Sequence, residues 1–314
     1  MASVIPFLSR IGDAEAAAWL KALNDALPEV RVTPLREVDT GDRASARVAV
    51  VADPDPLELD KLPSLVWVQS LWAGVERILR ECPKQDLAIA RMEDPQLART
   101  MAEAVLAWTL YLHREMPLYA RQQRDAEWEA HPLSLPQDVT VGVLGLGALG
   151  ASAADLLRRH GFRTIGWSRT EKPSLGFETH HGDTGLQAVL AESDILVVLL
   201  PLTAATERLL DAETLDGMRP GASVINFARG PIIDDDALLA RLSSGRLKHA
   251  VLDVFDREPL PTDSPFWSHP SVTVLPHISA PTTIRTAAPI AAANIRRYLE
   301  TGDMPKTVDR RRGY

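Results

Sequence analysis

Apolar positions in the first ninety residues fall in short runs divided by polar and helix-forming stretches. SVIPFLS (3–9) predicts a strand, and AEAAAWLKALNDAL (14–27) predicts a helix that Asp13 could cap. VRVTPL (30–35), RVAVVAD (47–53), LVWVQSL (65–71) and LAIARM (87–92) read as further short β-rich runs. Strands alternating with helices imply a parallel sheet covered by helices. A helix of strong formers is expected from about Gln96 to Glu115, and RDAEWEAHPLSLPQD (124–138), polar and Pro-containing, reads as a connector.

The second alternation is cleaner. TVGVLGL (140–146), RTIGWS (163–168), DILVVLLP (194–201), ASVINFA (222–228), AVLDVF (250–255) and VTVLPH (272–277) predict six strands. ALGASAADLLRRH, GLQAVLAE, AETLDGM and DDDALLARLSS predict the helices between them. Near-continuous apolar strands mean burial on both faces, as in a doubly wound sheet. A last long helix, TTIRTAAPIAAANIRRYLE, is followed by a polar tail. The expectation is an α/β protein of two doubly wound parallel-sheet domains. A dinucleotide-binding domain, 101–285, is inserted between a front domain, 1–100, and a returning segment, 286–314; the front domain would form the other jaw of a cleft.

Composition narrows the class without changing this picture. The chain has 314 residues, long enough for two domains, and is 46% hydrophobic and 24% charged, as a packed globular protein is. Its net charge of −8 argues against a nucleic-acid surface. The single cysteine, Cys82, permits no disulfide framework or Zn–cysteine site, which fits a cytoplasmic protein. No signal peptide or membrane-spanning run is expected.

VGVLGLGALG (141–150) carries Gly145-x-Gly147-x-x-Gly150 between an apolar strand and a helix. In a dinucleotide-binding turn the first glycine makes the tight turn, the second lets the backbone approach the pyrophosphate, and the third allows close helix–strand packing. The helix N-terminus adds N–H groups and a positive dipole end. An NAD site wants Asp or Glu at the end of the next strand; this chain has Trp167-Ser168-Arg169-Thr170, with Glu171 only beyond it. Hydroxyls and a guanidinium there suit a 2′-phosphate, so NADPH is preferred and NADH possible.

Three later stretches carry groups suited to acid–base work. NFARGPII places Arg229 at a strand end, where open α/β sheets bind ligands. DVFDREPL supplies Asp253 and Glu258, and VLPHISAPT supplies His277. Alone, each has a bland alternative: a surface charge for Arg229, a turn residue for Glu258, a structural histidine for His277. Together they suggest an Arg to hold a carboxylate, a His to deliver a proton, and a carboxylate to keep that His charged. Asp234-Asp235-Asp236 reads as a helix N-terminus complementing the dipole. His180-His181 lies in a polar loop without a third ligand, and no metal site is expected. Arg310-Arg311-Arg312 reads as a solvated or self-pairing tail.

These landmarks, with DILVVLLPLTAAT, INFARGPIIDDDAL, LDVFDREPLP and LPHISA, resemble the D-isomer-specific 2-hydroxyacid dehydrogenases over nearly the whole chain. LWAGVE, IGWSRT, REPLP and VDRRRGY resemble the glyoxylate/hydroxypyruvate reductase A branch. The resemblance implies a flavodoxin-like substrate domain and a Rossmann domain, with hydride passing from the nicotinamide to C2 of a small 2-oxo acid. It makes His277 the general acid, held and charged by Glu258, and Arg229 the carboxylate ligand. Trp72, Ala73 and Gly74 would cradle the substrate through backbone N–H groups; an ordinary turn with Trp72 in the core is the alternative. Gly145, Gly147, Ala148, Leu149, Gly150, Trp167, Ser168, Arg169, Thr170, Pro201, Thr206, Ala228 and Asp253 would contact the coenzyme. Formate dehydrogenases of the family carry Gln in place of Glu258, which argues against that activity. A homodimer through the nucleotide domains is expected, with the helix near 101–116 a candidate contact. The rival readings are a reductase of bulkier acids such as phenylpyruvate and a nucleotide-sensing protein like the corepressors of this fold.

Overall fold

A computed structural model describes residues 3–82, 84, 86–172, 175–310 and 312–313; Arg311 of the tail lies outside them. The chain divides into two compact units, residues 1–96 with 282–314 and residues 97–281. The crossings thus lie about four residues before the expected ones.

In the first unit β1 (Val4–Ser9), α1 (Asp13–Ala26), β2 (Arg31–Pro34), α2 (Thr40–Ser45), β3 (Val48–Ala52), β4 (Trp67–Ser70), α3 (Glu76–Glu81) and β5 (Ala88–Ala90) follow the expected alternation. The sheet is parallel throughout, in the order β2-β1-β3-β4-β5. Successive side chains of β3 serve opposite faces. Val48, Val50 and Ala52 join one core with Trp19 and Leu23 of α1, while Ala49 and Val51 join another with Leu59, Leu62 and Ile78. Asp13 does not cap α1: Gly12 is the N-cap, and Asp13 stands in the first turn, where its charge complements the dipole. Cys82 is buried, as a structural cysteine is.

The second unit opens with α4 (Pro95–His113) and α5 (Met116–Asp125). Glu115, at φ 56, takes the left-handed conformation and breaks one helical run into two, so part of the expected connector is helix. There follow β6 (Thr140–Leu144), α6 (Ala148–Arg159), β7 (Arg163–Ser168), β8 (Glu178–His181), α7 (Gly182–Glu192), β9 (Ile195–Val198), α8 (Ala212–Asp216), β10 (Ala222–Asn226), α9 (Asp235–Ser243), β11 (Leu247–Leu252) and β12 (Val272–Val274). They form a seven-stranded parallel sheet ordered β12-β11-β10-β9-β6-β7-β8. The seventh strand, β8, replaces the expected polar loop around His180 and His181. It is an edge strand with mostly half-exposed positions, so no apolar run marks it. The sheet is buried on both faces: Leu196 and Val198 of β9 face one core, Ile195 and Val197 the other.

The chain returns to the first unit through α10 (Ile284–Thr301), whose face of Ala287, Ala288, Ala291, Ala292 and Ile295 packs into the core with Trp19 and Leu23. The small side chains permit close packing of the helix. In the tail, Arg310 donates to the carbonyls of Lys84 and Leu87. Among the described residues, no helix is long and apolar enough to cross a membrane, and no group of His, Cys, Asp or Glu is placed to hold a metal ion.

Candidate active site

All seven strands of the second unit run the same way, so the turns after β6, β7, β9, β10, β11 and β12 gather along one edge of the sheet. Every candidate residue of that unit lies on one of these turns or at the strand or helix end beside it.

The three glycines of the turn after β6 stand in three different surroundings. Gly145 has φ +103, and a Cβ there would stand 2.7 Å from the Leu199 carbonyl oxygen. A Cβ on Gly150 would stand 1.8 Å from the Gly145 oxygen, so only hydrogen fits where α6 meets the strand turn. A Cβ on Gly147 would meet nothing within 4 Å. Gly147 is the N-cap of α6 and makes no side-chain cap to the first-turn N–H groups; Gly147 and Ala148 are exposed and Leu149 partly so. A phosphate fits these features.

At the end of β7, Ser168 is buried and its hydroxyl donates to the Thr170 carbonyl, 2.8 Å away. Arg169 and Thr170 are exposed. Trp167 differs from its neighbours. Its ring is 5% exposed in the core and its Nε1 donates to the Gly182 carbonyl, while its own carbonyl accepts from Gly145 N–H. Only its backbone stands at the turn. After β9, the Thr206 hydroxyl donates to the Pro201 carbonyl at 2.6 Å and accepts from Thr203 N–H at 2.8 Å, tying that loop into one piece.

After β10, Ala228 is buried and Arg229 half-buried, with the Arg229 Nη1 donating to the Ala228 carbonyl at 2.6 Å. Next to it a Cβ on Gly230 would fall 2.0 Å from the Phe255 carbonyl carbon, so the β10 and β11 turns touch backbone to backbone. Across that contact lies Glu258. Its Oε1 accepts from Phe255 N–H at 2.9 Å, and its Oε2 accepts from His277 Nδ1 at 2.7 Å.

Glu258 and His277 hold each other's charged forms. The hydrogen bond to Glu258 raises the His277 pKa; burial and the Arg229 charge oppose this, and the charges of Glu258 and Asp253 reinforce it. Burial favours neutral Glu258, but the bonds from His277 and Phe255, with the charges of His277 and Arg229, outweigh it and lower its pKa. The imidazole side chain is 53% exposed, so its second nitrogen is open to a reactant.

Asp253 is engaged within the protein. It is 2% exposed, and its two oxygens accept from Ile278 N–H at 2.7 Å and Ser279 N–H at 2.9 Å. It therefore ties down the two residues after His277, whose own φ is 55. A left-handed backbone at a non-glycine residue persists where its surroundings impose it.

In the first unit, the Ser70 hydroxyl accepts from Trp72 N–H and donates to the Trp72 carbonyl, both at 3.0 Å. The Trp72 ring meets Trp19 edge-on at 5.8 Å and packs against the core. Ala73 and Gly74 follow it, both partly exposed. Ser70, and Asn226 at the end of β10, are the polar groups that sequence reasoning passed over. Each is a polar residue that ends a strand buried at every position, which is the signal that marks it.

A family model described as "D-isomer specific 2-hydroxyacid dehydrogenase, NAD binding domain" matches residues 106–279. The glyoxylate/hydroxypyruvate reductase A of Salmonella paratyphi B is 37% identical over 95% of this chain and 96% of its own length. A D-isomer specific 2-hydroxyacid dehydrogenase from Xanthobacter autotrophicus Py2, solved with NADPH and MES, superposes with a TM-score of 0.93 at 40% identity, covering 100% of both chains. The NADPH-dependent glyoxylate/hydroxypyruvate reductase of Sinorhizobium meliloti, solved with NADP and sulfate, gives a TM-score of 0.91 at 32% identity, covering 99% of this chain and 100% of that one. The chain belongs to the D-isomer specific 2-hydroxyacid dehydrogenase family.

Proposed function

We propose that the protein is an NADPH-dependent reductase of small 2-oxo acids, converting glyoxylate to glycolate and hydroxypyruvate to D-glycerate. The observation that carries this reading is the 2.7 Å bond between His277 and Glu258, beside a guanidinium whose charge acts on both. The names of the relatives support the substrate class. Ser168, Arg169 and Thr170, with no carboxylate at the end of β7, support NADPH over NADH, as do the coenzymes of the two related structures.

A bound nicotinamide coenzyme supplies the hydride that C2 of the oxo acid receives. Gly147, the first turn of α6, Ser168, Arg169, Thr170 and the Pro201–Thr206 loop hold that coenzyme in this reading. Arg229 binds the substrate carboxylate and stabilises negative charge as it develops on the carbonyl oxygen. His277, its Nδ1 proton engaged by Glu258, delivers the proton on its other nitrogen to that oxygen. General acids of this kind contribute about 10²–10⁴-fold. In the first unit the Trp72 N–H is taken by the Ser70 hydroxyl, so of that turn only Ala73 and Gly74 keep the anion-binding role proposed for it.

The same reading makes the protein a cytosolic homodimer joined through its second unit. Leu110, Met116, Tyr119, Trp128, Leu133 and Leu135, all exposed large apolar side chains, support that surface.

Chiral analysis of the product from hydroxypyruvate and NADPH tests the assignment. D-glycerate is expected; L-glycerate, or no glycerate, overturns it.

A further inference from the structure

We infer that Asn226 is a positioning residue for Arg229, an inference that rests on the reductase reading above. Asn226 ends β10 and is 2% exposed, in a strand whose other members include Val224 and Ile225. A carboxamide buried there is costly unless both its ends are bonded. Both ends bond to the turn that carries Arg229. Oδ1 accepts from Ala228 N–H at 3.1 Å, and Nδ2 donates to the Arg229 carbonyl at 3.1 Å. The Asn226 carbonyl accepts from Asp253 N–H at 3.1 Å, anchoring the same turn to the next strand.

These bonds hold the Phe227–Ala228 and Arg229–Gly230 peptides, which bracket the Ala228–Arg229 link, and Gly230 is pinned against the Phe255–Asp256 backbone from beyond. The guanidinium is then aimed by a stem whose base cannot shift. Asn carries its donor and its acceptor on separate atoms, one for each of the two partners. Asp would set an oxygen against the Arg229 carbonyl. Asn226 touches neither Glu258 nor His277 by hydrogen bond, so its effect should reach the reaction through Arg229 alone.

A double-mutant cycle tests this, with Asn226→Asp, Arg229→Lys and the pair assayed against glyoxylate with NADPH. Asn226→Asp is expected to lower kcat/KM about tenfold, mostly through KM, as the loss of a buried hydrogen bond does. NADPH affinity and the pH at which activity falls on the alkaline side should stay as in the wild type. In the Arg229→Lys background the Asn226 substitution should add little, since coupled residues are not additive. Fully additive losses, a matching loss of NADPH affinity, or an unchanged kcat/KM would each overturn the proposal. If Asn226→Asp does not fold, Asn226→Ser carries the same cycle. A wild type that reduces no 2-oxo acid would overturn the reductase reading, and this inference with it, whereas an active wild type with additive variants overturns the inference alone.

Discussion

Glu258 accepts from His277 Nδ1 across 2.7 Å while its other oxygen accepts from Phe255 N–H, so the carboxylate that charges the imidazole is itself held by the backbone. A carboxylate fixed in this way keeps the imidazole protonated to higher pH than a free histidine. Reduction consumes the proton, so activity should fall as pH rises through the raised His277 pKa. Glu258→Gln removes the negative charge and lets that pKa drop. The alkaline fall of kcat/KM should therefore move to lower pH, and a pH–rate profile checks it. An unmoved profile would separate Glu258 from the proton step.

The grip of Asp253 on the residues after His277 predicts a stability effect. Asp253→Ala leaves the buried Ser279 N–H and the part-buried Ile278 N–H without acceptors, at about 1–3 kcal/mol for the first and less for the second. Urea denaturation should show a loss of about 2–5 kcal/mol, with Asp253→Asn in between because one acceptor survives. A variant as stable as the wild type would show that the two bonds are not needed.

Gly147 and Gly150 should fail in different ways. A side chain at 147 meets open space in the protein, so Gly147→Val should fold normally and lose coenzyme binding. A Cβ at 150 collides with the Gly145 carbonyl, so Gly150→Ala should lower stability as well. Thermal melting with and without NADPH distinguishes them: stabilisation by coenzyme should vanish in Gly147→Val while the apo melting temperature stays put.

The end of β7 predicts the coenzyme. Ser168→Asp combined with Arg169→Ala replaces a phosphate-compatible pair with a carboxylate suited to a ribose hydroxyl. The ratio of kcat/KM for NADPH over NADH should fall by at least about tenfold, the scale of one charge-assisted hydrogen bond. An unchanged ratio would refute the role assigned to this strand end.

Much of the site was legible because its signals are local. Gly145, Gly147 and Gly150 lie within six residues, and Gly145 and Gly150 are each demanded by a backbone constraint that the sequence pattern expresses directly. Arg229, Glu258 and His277 were legible as residue types at strand ends. The bond joining Glu258 to His277 spans nineteen residues and depends on the turns after β11 and β12 coming together, which no local pattern records. β8 was hidden because an edge strand needs no apolar run, and α5 because MPLYARQQRD holds few apolar residues to mark it. Asp253 and Trp167 mark a subtler limit. Their positions at strand ends were legible, but not the partners in the fold that occupy the Asp253 carboxylate and the Trp167 ring.

The most direct test is the initial rate of wild type and His277→Ala with glyoxylate, hydroxypyruvate, pyruvate and phenylpyruvate, each with NADPH and NADH. The account predicts fastest oxidation of NADPH with glyoxylate and hydroxypyruvate, and a loss of about 10²–10⁴-fold in His277→Ala with NADPH binding retained. Preference for phenylpyruvate would contradict the small-acid assignment, and a nearly normal rate in His277→Ala would contradict the mechanism.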